Sequence, residues 1–118
     1  MSANNDVSEP STHRKPMRQD VTLIYRNGRF VVPPDTHVIK GDTLNFKCDT
    51  DLGSAEMVVR LKSKKYFRPA KFTNGGPPVE VVKKLNKGRR YGYVCQFDGT
   101  RGGKSYSYGG PAGGFIVP

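Results

Sequence analysis

Cysteine and histidine are scarce, with two of each in the 118-residue chain. Two cysteines exclude a disulfide-dense miniprotein and a four-cysteine zinc site. Apolar residues are also few, at 35% of the sequence, so little material is available for a core, and the length fits one domain. No run of about 18 apolar residues occurs, which excludes a membrane-spanning helix. No segment keeps a helical apolar period. The first residues lack an apolar h-region, so the expectation is a cytoplasmic chain, or an exported one from which a precursor segment has been removed.

Glycine and proline are plentiful, 14 and 9 residues respectively. They interrupt long helices and favour short strands joined by turns. Residues 1–19 are polar, without apolar periodicity, and read as a disordered tail. The remainder, 20–118, reads as a single β-sandwich domain. Val21, Leu23 and Tyr25 alternate, and Asn27-Gly28 after them is a strong hairpin signal. Residues 29–32 pair back or continue the sheet until Pro33-Pro34 stops them. Gly41-Asp42 marks a turn or bulge, after which Leu44, Phe46 and Cys48 share a face. Met57, Val59 and Leu61 alternate next, against Val58, Arg60 and Lys62. Residues 63–78 read as a long loop or short strands, and 79–85 as another strand. Tyr91, Tyr93, Cys95 and Phe97 share a face. The glycine-rich stretch 98–114 reads as a loop before a last strand at 115–118. About seven short strands at this spacing predict an all-β antiparallel sandwich or barrel.

The excess charge is local. Residues 1–18 sum to +1, residues 19–59 to −2 and residues 60–104 to +11, which returns the formal +10 of the chain. Such a dipolar surface attracts polyanions through its field and counterion release; the plainer alternative is that the lysines only solvate strands and loops. Three clusters mix cations with rings: residues 62–72, 83–91 and 101–108. Their candidate polyanion contacts are Lys62, Lys64, Lys65 and Arg68; Lys83, Lys84, Lys87, Arg89 and Arg90; and Arg101 with Lys104. Single-stranded nucleic acid needs cations along its backbone and rings to stack its bases. Composition meets that need, although rings such as Tyr106 and Tyr108 also suit packing.

Three pieces in order carry a resemblance: Lys40-Gly41-Asp42-Thr43-Leu44-Asn45-Phe46, then Tyr91-Gly92-Tyr93-Val94-Cys95, then Gly113-Gly114-Phe115-Ile116-Val117. Together they resemble the cupredoxin (plastocyanin-like) family over about residues 21–118. The resemblance implies a Greek-key β-sandwich. It places Cys95 where the family holds its copper thiolate. A blue-copper site also needs two imidazoles and a weak axial ligand. Here Asp98 stands three residues after Cys95, and residues 99–114 hold no histidine or methionine. His13 and His37 stand outside the family's ligand positions. No metal, cofactor or electron transfer is therefore expected.

Cys48 and Cys95 each share parity with core residues of their strands. The resemblance brings the ends of those strands to one pole, so a disulfide and two separate buried thiols are both open readings. The serines lack a histidine at motif spacing, and Asp49 and Asp51 flank a turn, so catalysis is not expected. The reading is a non-enzymatic, copper-free cupredoxin-like binding module for an acidic protein or other polyanion. The alternatives are a nucleic-acid-binding β domain and an atypical metal-binding or electron-transfer cupredoxin. Copper titration tests the ligand argument. Cu(II) should bind no better than at a generic surface site, and an intense visible copper–thiolate band would contradict it.

Overall fold

The computed structural model describes residues 14–117. The chain is all-β: two five-stranded mixed sheets face each other as a sandwich. One sheet has the order β2 (Arg29–Val31), β1 (Arg18–Arg26), β4 (Thr43–Thr50), β8 (Val79–Val81), β6 (Phe67–Arg68). The other has the order β3 (Thr36–His37), β10 (Lys104–Ile116), β9 (Tyr91–Arg101), β5 (Gly53–Leu61), β7 (Lys71–Thr73). One 3-10 turn, Lys64–Tyr66, precedes β6.

Period-2 alternation builds the core. Val21, Leu23 and Tyr25 of β1, Leu44 and Phe46 of β4, and Met57, Val59 and Leu61 of β5 are all buried. So are Val79 and Val81 of β8 and Tyr91, Tyr93, Cys95 and Phe97 of β9. Rings compensate for the thin apolar content. Phe46 packs on Phe72, Tyr93 and Phe115, with centroids 5.2–6.2 Å away. Each such pair adds about 1 kcal/mol beyond the area it buries. Asn27 and Gly28 both have positive φ, 54° and 72°, which suits a type I′ hairpin from β1 to β2.

Three features depart from the sequence reading. First, the sheets are not purely antiparallel. β1 runs parallel to β4, and β3 runs parallel to β10. The chain leaves β1 through β2, crosses to the other sheet as β3, and returns beside β1 in the same direction. Second, the glycine-rich stretch is no loop. Residues 98–114 belong to β9 and β10, a long hairpin turning at Gly102-Gly103. Absent side chains leave the backbone ladder intact and permit close approach. At Gly99 a Cβ would lie 2.7 Å from the Leu52 Cβ.

Third, ordered chain begins inside the segment read as a tail: β1 starts at Arg18, and Arg14 is anchored. The part of that tail in residues 1–13 lies outside the described residues. The anchor is Asp42, fully buried. Arg14 grips it with both terminal nitrogens, Nη1 to Oδ1 at 2.9 Å and Nη2 to Oδ2 at 2.7 Å. The Met17 amide donates to Oδ1 at 2.9 Å, and the Ile39 amide and Gln19 Nε2 donate to Oδ2 at 3.0 Å each. The turn before it needs Gly41, with φ of 95° and Pro16 Cγ 2.8 Å from where a Cβ would stand. Burial disfavours the ionised carboxylate, but these donors outweigh it and hold its pKa below the usual range.

A depressed folded pKa stabilises the fold above the unfolded value of about 4, and that contribution is lost as pH falls through the folded value. Breaking a buried pair on one side costs about 3 kcal/mol or more. Asp42→Asn should therefore lower the urea unfolding free energy by about that amount at pH 7. Its stability should also fall less steeply than the wild type's below pH about 4.

Candidate polyanion-binding pole

Residues 60–90 carry eleven basic side chains and one acidic one, Glu80, so this segment alone equals the chain's formal excess of +10. It crosses between the sheets four times, from β5 to β6, β7, β8 and β9 in turn. The crossings gather two of the three basic clusters at one end of the sandwich. There the Lys62 amide donates to the Gly92 carbonyl at 3.2 Å, and the Val82 amide to the Tyr66 carbonyl at 2.8 Å. Tyr66 meets Tyr91 edge-on, with centroids 5.0 Å apart.

Lys62 follows β5, Lys64 and Lys65 sit on the 3-10 turn, and Arg68 is on β6. Lys83, Lys84, Lys87, Arg89 and Arg90 lie between β8 and β9, and all of these cations are exposed. Arg101 and Lys104 stand elsewhere, at the tip of the β9–β10 hairpin. Eleven residues of strand separate Arg101 from Arg90, about 35 Å at the usual rise. The third cluster is thus at the opposite pole.

Pairing also separates the candidates. Arg101 Nη1 donates to Asp51 Oδ2 at 2.9 Å and its guanidinium lies over the Tyr106 ring at 4.9 Å. The Asn27 amide and Arg101 hold the Asp51 carboxyl below the usual carboxylate range. Arg90 Nε donates to Asp35 at 3.0 Å. Among the described residues, the other nine candidates have no carboxylate within 4.0 Å. Lys65 and Arg89 lie over the Tyr66 and Tyr91 rings, at 5.3 and 5.5 Å, contacts of about 0.5–1 kcal/mol when exposed.

Most of the rings interleaved with these cations pack inward, while Tyr66 and Tyr106 stay half-buried. Phe67, Phe72 and Tyr91 are buried. Tyr108 stacks on Phe30 at 4.8 Å, and its hydroxyl donates to the Pro111 carbonyl at 3.1 Å. Two further cations join the pole. Arg60 and Lys71 are cross-strand partners of β5 and β7. The alternation of β5 already put Arg60 on the outward face with Lys62. Asp35, by contrast, is 55 residues from Arg90, and no local pattern in the sequence links them.

Elsewhere the outward face of the second sheet is acidic. Glu56 and Asp98 are cross-strand partners and line a cavity of about 370 Å³ with Ser54, Ser105 and Ser107. Among the described residues, no group of three or more His, Cys, Asp or Glu gathers as a metal cluster. Compared with protein-family models, with curated proteins and with solved structures, the chain finds no match in any of the three.

Cys48 and Cys95 sit on strands of opposite sheets and are unbridged. Burial pushes the Cys95 thiol up to about 12 and raises that of Cys48. The thiolate is the reactive form. Two thiols per chain should therefore titrate in denaturant, while in native protein at pH 8 Cys95 should resist alkylation and Cys48 should react slowly.

Proposed function

We propose that the chain is a non-enzymatic, copper-free, cupredoxin-like Greek-key module that binds a polyanion at the 60–90 pole. One observation carries this reading: a charge equal to the whole formal excess is collected at one end of the sandwich, largely without ion-pair partners. Uncompensated cations at such density concentrate polyanions and release their counterions on contact. Support for the cupredoxin-like reading is that its three motif segments fall on β4, β9 and β10, with Cys95 pointing into the core. Support for a binding role over catalysis is that His37 is exposed and its ring makes no hydrogen bond among the described residues.

The burial of Phe67, Phe72 and Tyr91 argues for contact with the charge of a ligand rather than with stacked bases, since stacking needs an open ring face and only Tyr66 at this pole is half-buried. An acidic protein surface or another polyanion meets the pole equally well by charge. Binding of this kind is salt-dependent, with a log–log slope of about −0.9 per duplex phosphate neutralised. The combined variant K83Q/K84Q/K87Q/R89Q should elute from a heparin column at clearly lower salt. On duplex DNA its slope should be shallower by up to about 3.6, four phosphate contacts at about 0.9 each. The variant R101Q/K104Q should behave as wild type. Equal loss in both variants would indicate general charge rather than this pole.

A further inference from the structure

Within the pole, Arg90 differs from its neighbours in being oriented. Its Nε donates to both carboxylate oxygens of Asp35, at 3.0 and 3.2 Å. Its two terminal nitrogens make no hydrogen bond among the described residues. The Arg90 side chain lies against Gly114, where a Cβ would come within 2.7 Å of Cζ and Nε. A side chain at 114 would displace it.

Gly114 pairs with Gly92 on the neighbouring strand. The point where a Gly92 Cβ would stand is 3.7 Å from Arg90 Nη1 and 3.9 Å from Lys62 Cδ. The missing side chain thus leaves a notch whose nearest atoms are that guanidinium, the Lys62 stem and, also at 3.9 Å, the Gly113 carbonyl oxygen. Lys62 has no carboxylate within 4.0 Å among the described residues. Asp35 orients Arg90 and offsets its charge, and Lys62 restores a net positive charge.

We propose that the notch over Gly92, between Arg90 and Lys62, is a subsite for one tetrahedral oxyanion, a phosphate or sulfate group. The inference rests on the polyanion reading and names the group gripped. A planar carboxylate matches a single guanidinium edge in one plane. A guanidinium fork on one wall and the charge of a lysine rooted on the other suit an anion whose oxygens point in several directions. Lysine acts here as a point charge, and arginine as a fixed fork.

The test uses the whole chain and inorganic phosphate, sulfate and acetate as probes, followed by NMR of the Arg90 Nε–H signal. Phosphate or sulfate should shift and saturate that signal before any other cation responds, with acetate weaker. The stronger of the two identifies the source. R90K keeps the charge but loses the fork. G92V fills the notch, and its Cβ would meet only ordinary contacts. Each, read on the backbone amide of residue 92, should weaken the preferred anion about tenfold, the scale of one charge-assisted hydrogen bond. G109V, on the same face with no atom within 4 Å of its Cβ position, should bind as wild type.

Unsaturable, uniform shifts overturn the subsite, as does a G92V that binds like wild type. Acetate binding ahead of both oxyanions overturns it in favour of a carboxylate partner. The two readings fail separately. Heparin retention that survives R90K and G92V unchanged removes the subsite but leaves the pole. Saturation of Arg90 by phosphate without retention on any polyanion leaves the subsite and removes the pole.

Discussion

Five hydrogen bonds converge on one buried carboxylate, and the start of the sandwich depends on them. Asp42 joins the segment before β1, the turn before β4 and, through its own carbonyl, the Val81 amide of β8 at 2.9 Å. An ionised group with no exposure survives there only because every direction around it supplies a donor. The parallel pairing of β1 with β4 begins one residue on, with Arg18 opposite Thr43. Parallel neighbours have no tight turn to fix their register. A shared anchor at their common start does that instead.

That anchor explains what the sequence revealed and what it concealed. Alternation is a local signal, and it placed the inward residues of β1, β4, β5 and β9 correctly. The Asn27-Gly28 hairpin is local too. Arg14 and Asp42, 28 residues apart, follow no period. A polar segment held by ion pairs therefore looked like a tail. The glycines of β10 misled for a different reason: glycine carries no side-chain period, yet its backbone pairs as well as any other. The site followed the same division. The clustering of lysines was plain in the sequence, and so was the outward position of Arg60. Which clusters meet, and that Asp35 reaches Arg90, depend on strand order, which no short window contains.

The rings tie the fold to the pole. Residues 60–72 alternate cations with aromatics, which in a linear reading suggests an open stacking surface. In the folded chain the two types part company: Phe67 and Phe72 enter the core while Lys62, Lys64, Lys65 and Arg68 stay in water. Dense positive charge repels itself and opposes the compact state. Here it is held together by the aromatic packing directly beneath it, so the hydrophobic and electrostatic roles of this segment are inseparable.

The four crossings of residues 60–90 bear on the order in which the molecule acquires its properties. The crossing strands have two or three residues each. Pieces so short have no independent stability and form only against sheets that already exist. Their contacts should close late in folding, because both layers must first be in place and long-range closures come at an entropic cost. A nascent or partly opened chain would carry the same lysines without their arrangement. The arrangement of these cations is therefore a property of the completed fold, present only once both sheets and their strand order are in place.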